Sequence, residues 1–170
     1  MTDPRKIIER KDIDAVVIAT TQHWHGLPFI HACQAGLPIY VEKPLSVTVH
    51  EGRRMVAAAR RNQRVVQVGT HRRSSPLYHE LAQRTTRADF GKICVSRAYR
   101  LSNMYPDGIG KRQPTAPPSE LNWDMWLGPA PVANYVPGRC RARGWYCIYD
   151  YCLGWISAWG SHVLSIAQWG

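Results

Sequence analysis

The chain has 170 residues, with 22 Lys and Arg against 12 Asp and Glu, for a formal net charge of +10. That length can bury a core as one ordinary domain, and no apolar run of about 18 residues indicates a transmembrane helix. Residues 61–100 hold nine basic and two acidic residues; no nucleic-acid-binding motif accompanies them, so they read as a solvated helix surface, with Arg72 and Arg73 facing an anionic ligand.

The opening Met1-Thr2-Asp3-Pro4-Arg5-Lys6 leads into amphipathic sequence and not into a signal-peptide core. Residues 13–20 form a β-branched, near-continuous apolar run, which predicts a strand covered on both faces. It ends in Thr20-Thr21-Gln22-His23-Trp24-His25. Residues 26–35 place Leu27, Phe29, Ile30 and Cys33 at helical spacing, and Gly36 supplies the stop. A second strand over 37–41 leads into Glu42-Lys43-Pro44. Pro44 can continue neither a ladder nor a helix interior, so it fixes the main chain at Lys43. A carboxylate and an ammonium at the carboxyl end of a strand sit where open α/β sheets bind ligands; a surface ion pair on a loop is the alternative. Thr48-Val49-His50-Glu51 then forms a capping box for a helix with Gly52, Met55, Val56 and Ala59 on one stripe. A third strand over 64–68 ends at Gly69. Strand, helix, strand, helix, strand with crossovers of this length predicts half of a doubly wound parallel sheet.

Beyond it, residues 103–119 contain Pro106, Gly108, Gly110, Pro114, Pro117 and Pro118 and predict a loop, either a cover for a substrate mouth or a surface excursion. Cys140, Cys147 and Cys152 are spaced by seven and five, unlike the short pairs of zinc sites. His23 and His25 share one face only in an extended chain. No metal site is expected. Cys33 and Cys94 read as packed thiols. Five free cysteines without a secretion signal favour a reducing, cytoplasmic location, with an export signal ahead of Met1 left open.

Several separated motifs carry a family resemblance. Residues 14–45, with Ala19-Thr20, Trp24-His25, Ala35-Gly36 and Glu42-Lys43-Pro44, resemble the Gfo/Idh/MocA oxidoreductases, nicotinamide-dependent enzymes acting mostly on sugars and polyols. The resemblance continues through Gln67-Val68-Gly69-Thr70, Arg72-Arg73-Ser74-Ser75 and Gly91-Lys92-Ile93. It resumes at Trp123-Asp124-Met125-Trp126-Leu127-Gly128-Pro129-Ala130-Pro131 and Trp159-Gly160-Ser161-His162. It implies the second half of a Rossmann-type sheet over residues 1–73, then the start of an α+β substrate and oligomerisation domain over 74–170. The implied cofactor is NAD or NADP and the implied substrate a sugar, cyclitol or related polyol, with neither nucleic acid nor membrane as partner.

Lys43 matches the family's catalytic lysine, for which desolvation and nearby cations supply the base. Thr20, Trp24, His25, Glu42 and Gln67 match cofactor-lining positions, and Arg72 and Arg73 a substrate-facing pair; for Trp24, packing on its own helix is the alternative. The family's aspartate–histidine pair aligns with Ala158 and His162, and Ser165 stands where a further acid is common. A standard dyad is therefore impossible. Either a subgroup works with Lys43 and His162, as Asp150-Tyr151-Cys152-Leu153-Gly154-Trp155 suggests, or activity has drifted.

No G-x-G-x-x-G occurs, although glycines of that kind let backbone N–H groups cradle the pyrophosphate. The expectation is a fragment that starts inside the nucleotide-binding domain, binds the dinucleotide weakly and is inactive alone, the full-length form being a homo-oligomer or not. The competing expectation is a non-catalytic remnant or partner-binding module on the same half-fold.

Overall fold

Three short strands, β1 (Val16–Ile18), β2 (Ile39–Val41) and β3 (Val66–Val68), make a parallel sheet in the order β1-β2-β3. They belong to a computed structural model that describes residues 3–101, 103–104 and 106–169. The register sets Val16 beside Ile39 and Val66, and Ile18 beside Val41 and Val68. Because side chains alternate along a strand, these two rows share one face. That face carries the core. Helices α2 (Gly26–Gln34) and α3 (Val49–Arg61) bring Phe29, Ala32, Cys33 and Met55 onto it, and α1 (Arg5–Ile8) adds Ile8.

The opposite row is Val17, Tyr40 and Gln67. Val17 is 71% exposed and Tyr40 36%, so among the described residues helices cover this sheet on one face and not on two. The second face of the strand predicted at 13–20 is thus open among the described residues. The regular strands are also shorter than predicted, although Val16 N–H donates to Pro38 O, Glu42 N–H to Ile18 O and Gly69 N–H to Val41 O at their ends.

Both crossover helices end in the same way. After α2, Leu37 N–H donates to Ala32 O (3.0 Å) and Gly36 N–H to Cys33 O (3.1 Å), with Gly36 at φ +84°. After α3, Arg64 N–H donates to Ala59 O (3.0 Å) and Gln63 N–H to Arg60 O (3.2 Å), with Gln63 at φ +54°. These are two Schellman caps, and each turns the chain straight into the next strand. The predicted capping box is present: Thr48 Oγ1 accepts from Glu51 N–H (3.1 Å), while Glu51 reaches back to Val47 N–H (2.7 Å), one residue beyond the expected partner. Met55 is buried on the predicted stripe, but Val56 falls outside it and is exposed.

The second half contains α4 (Pro76–Thr85), α5 (Trp123–Leu127), α6 (Ala142–Trp145) and α7 (Gly154–Ala167). Among its described residues there is no strand. Residues 91–100 run without regular structure, and Ile93, Val95, Tyr99 and Leu101 alternate along this stretch with their side chains exposed. Cys94 lies here and is exposed, not packed as its apolar neighbours suggested. The described part of 103–119 is a loop with turns at 106–109. No helix among the described residues is long and apolar enough to cross a membrane.

Gln63 is the only non-glycine residue described with positive φ, and a side chain in that left-handed conformation costs about 1 kcal/mol relative to glycine. Gln63→Gly should therefore raise the thermal midpoint, by an amount corresponding to about 0.5–1 kcal/mol. Calorimetry showing a lower midpoint would mean that the Gln63 side chain contributes a contact outweighing the backbone term.

Candidate active site

The polar residues singled out in the sequence gather at the carboxyl ends of the three strands. A 3₁₀ turn, Gln22–Trp24, follows β1; Glu42, Lys43 and Pro44 follow β2; a second 3₁₀ turn, His71–Ser74, follows β3. Helix α7 lies against these ends and packs on the last turn.

His25 ties the first two loops together. It is 1% exposed, with Nδ1 2.9 Å from Pro44 O and Nε2 3.2 Å from Thr20 O. A neutral ring donates to one of these carbonyls and a charged ring to both. Either way the imidazole holds backbone on both sides of the Lys43 loop, so it positions that loop and offers no free nitrogen to a cofactor. Thr20 itself is exposed at the end of its strand.

Trp24 is anchored from the other half of the chain. Its Nε1–H donates to Trp126 O (3.0 Å), and Gly128, at φ +50°, lies so close beneath the indole that a Cβ there would overlap the ring. His23 Nε2 also lies 3.0 Å from Trp126 O, and its ring packs against Trp126 and Tyr151. Burial pushes the His23 pKa down. His23 and His25 thus turn to different partners. Gln22, which the sequence did not single out, is buried at 2% exposure beside the Cys152 thiol, with neither amide atom bonded to a nitrogen or oxygen among the described residues.

Lys43 crosses to α7, where its Nζ donates to Ala158 O at 3.2 Å. Glu42 accepts from the Lys43 backbone N–H (3.2 Å), and its carboxylate stands over Gly69, where a Cβ would lie 3.1 Å from Oε1. His162, one turn beyond Ala158, is 5% exposed, and its Nδ1 has no partner. Desolvation, then the charges of Lys43, His71 and Arg72, lower its pKa from 6.5 to about 4. Its ring lies 4.6 Å from that of His71, a neighbour with no signal in the sequence, and 5.8 Å from that of Trp159.

The two arginines divide. Arg73 is engaged with α7, donating to Ser165 Oγ (2.7 Å) and Ser165 O (2.9 Å) with its guanidinium over Trp169. Arg72 lies over Trp159 and makes only a long contact to Tyr78 Oη. Gln67 stands apart from the cluster, exposed on the open face beside Tyr40, its amide donating to Val68 O (2.8 Å).

Loops that converge at the carboxyl ends of a parallel sheet sit where open α/β sheets bind ligands. Residues 1–70 match the description "Oxidoreductase family, NAD-binding Rossmann fold", and residues 92–169 match the same family's "C-terminal alpha/beta domain". The chain belongs to the Gfo/Idh/MocA oxidoreductase family. Inositol 2-dehydrogenase 4 of Saccharopolyspora erythraea is 43% identical over 109 residues, which cover 64% of this chain and 32% of that protein. The scyllo-inositol 2-dehydrogenase (NAD(+)) of Bacillus subtilis is 32% identical over 119 residues, covering 70% and 32%. A solved levoglucosan dehydrogenase, in complex with NADH and levoglucosan, is 36% identical and covers 50% of this chain and 23% of its own, with a TM-score of 0.46. The chain spans about a third of the length of the curated relatives it matches.

The buried histidines set a pH dependence. An unfolded His162 binds a proton below about pH 6.5, whereas the folded ring stays neutral down to about 4. The unfolded state therefore holds more protons between these values, and stability falls as pH drops through that window. His23 is shifted in the same direction and contributes likewise. In thermal melts from pH 4 to 6.5, His162→Gln should lose less stability on acidification than the parent chain. Parallel curves for the two would contradict a neutral, buried His162.

Proposed function

We propose that this chain carries the proton-transfer side of an NAD(P)-dependent dehydrogenase acting on a cyclitol, sugar or related polyol. Residues 1–73 form the cofactor side and 74–170 the substrate side. The observation that carries this reading is the reach of Lys43 Nζ to Ala158 O, which puts the ammonium group one helical turn from the unpaired Nδ1 of His162.

The residues present fit the nicotinamide end of the cofactor. Gln22 keeps a buried amide with no nitrogen or oxygen partner among the described residues, and Gly69 lets the Tyr40 hydroxyl and the Glu42 carboxylate come close to its backbone. Thr20, Trp24 and Glu42 would line that end, and the cofactor, when bound, supplies the hydride acceptor. Gln67 would reach it only from the open face, and His25 acts by fixing the loop that carries Lys43. Lys43 Nζ exchanges the proton of the substrate hydroxyl. His162, neutral at pH 7, uses Nδ1 to hold or protonate the substrate oxygen. Ala158 supplies a backbone carbonyl where the resemblance expects a carboxylate, so orientation of the imidazole falls to packing by His71 and Trp159.

The identity of the inositol dehydrogenases among its relatives supports a cyclitol as first substrate to try. In a full-length version that carries the pyrophosphate turn, assayed for NAD(P)+ reduction with myo-inositol and scyllo-inositol, Lys43→Ala should lower turnover by about 100-fold or more, the scale of a general acid or base. Turnover near that of the parent would remove Lys43 from the mechanism. A separate expectation concerns affinity. Without a glycine-rich pyrophosphate turn among its 170 residues, the chain should bind NAD+ more weakly than micromolar by calorimetric titration, and micromolar binding would show another phosphate cradle.

A further inference from the structure

The charge around α7 is one-sided. Lys43 reaches the carbonyl of Ala158, while Arg72 and Arg100 both lie over the ring of Trp159, with guanidinium carbons 5.9 Å and 4.1 Å from its centroid. Arg100 also lies over Trp155, at 5.2 Å. Three basic side chains thus meet within two consecutive residues of the helix, one turn before His162. The ion pairs among the described residues are Asp3–Arg5, Asp12–Arg10, Glu80–Arg84 and Asp89–Arg87, all elsewhere. None of Lys43, Arg72 or Arg100 has a carboxylate at ion-pair distance among the described residues. Glu42, which accepts from the Lys43 backbone N–H and acts on His162, is the one carboxylate found beside these cations among the described residues, and it leaves the cluster net positive.

Lys43 and Arg72 are half-buried and Arg100 is exposed, so water screens the repulsion between the first two least. A neutral polyol would leave it unrelieved. The stacking also leaves the right groups available. Arg100 spends one Nη1–H on Leu101 O (3.2 Å) and Arg72 one on Tyr78 Oη (3.5 Å); with their faces on the indole, the remaining in-plane N–H groups fit carboxylate or phosphate oxygens. The buried, unpaired Nδ1 of His162 beside these cations is a second polar group without a partner.

We propose that the site takes a sugar or polyol bearing an anionic group, carboxylate or phosphate, held by Arg72 and Arg100 while its hydroxyl meets Lys43. This rests on the dehydrogenase reading of the same site and narrows its substrate class.

The test is titration of the 170-residue chain, followed by tryptophan fluorescence and calorimetry. The probes are D-glucuronate and glucose 6-phosphate, with methyl glucoside and myo-inositol as neutral counterparts and ADP as a probe for cofactor phosphates. At least one anionic sugar should bind about 10-fold or more tightly than its neutral counterpart, the scale of one charge-assisted hydrogen bond; which of the two binds distinguishes carboxylate from phosphate. Arg100→Gln, at an exposed position outside any helix or strand, should remove most of that preference with an unchanged circular dichroism spectrum. Arg72→Gln should do the same. Equal affinity for charged and neutral sugars, no binding of either, a response to ADP alone, or a preference unaffected by both substitutions would overturn the proposal. Oxidation of myo-inositol without anion preference would sink this inference and leave the dehydrogenase reading standing. Near-normal turnover in Lys43→Ala would sink that reading without touching the anion preference.

Discussion

Helix α7 is held across the carboxyl ends of the strands by two cationic side chains that arrive from different loops. Lys43 donates to the Ala158 carbonyl and Arg73 to both the hydroxyl and the carbonyl of Ser165. Hydrogen bonds from charged donors contribute about 1.5–3 kcal/mol each when partly shielded from water, so this docking is among the stronger polar attachments in the chain. Everything chemical depends on it, because α7 carries His162 and Trp159, while Lys43 and Arg72 come from the sheet loops. The fully buried Ala158 is part of the same constraint: its small side chain lets the helix backbone come within reach of the lysine. An aspartate at that position would have to be buried beside Lys43 and would compete with the carbonyl for it. The missing carboxylate and the close helix are therefore one structural fact.

The loop before Lys43 is fixed just as firmly, and again by polar groups inside the protein. His25 braces Thr20 against Pro44, and Trp24 is pinned to the backbone of Trp126 over Gly128. A glycine at 128 is required twice, by the positive φ and by the indole above it. These contacts convert two sequence landmarks, the Trp24-His25 pair and the Trp126-Leu127-Gly128 run, into one joint between the halves of the chain.

Legibility of the sequence followed the range of the interaction. The Gly36 stop, the Thr48–Glu51 cap and the position of Lys43 at a strand end are local, set by residues within five of one another, and each was readable. The Gln63 cap was not, because its partner carbonyls signal it and its residue type does not. Arg73 was readable as a site residue only by resemblance, and its side chain is engaged with Ser165; no local pattern reports a partner that far along the chain. The same holds for His71 against His162. The 13–20 run is a different case: apolar side chains on a strand record where burial is possible, and the Val17 face is open among the described residues. Cys94 failed likewise, since the alternation around it describes a strand that is not paired here.

In a dyad with an aspartate, the carboxylate would fix which imidazole nitrogen carries the proton. Among the described residues no group meets Nδ1, and desolvation, then the surrounding cations, oppose protonation of the ring. A neutral imidazole with an unpaired nitrogen in a buried position is destabilising until something hydrogen-bonds to it. A substrate oxygen placed between Lys43 Nζ and His162 Nδ1 would remove that deficit on binding, and an anionic group beyond it would relieve the repulsion among Lys43, Arg72 and Arg100. The unpaired nitrogen and the net positive charge are the features that a polyhydroxylated anion would satisfy. Selectivity in such a site comes less from a shaped cavity than from which ligand leaves the fewest of these groups unpaired.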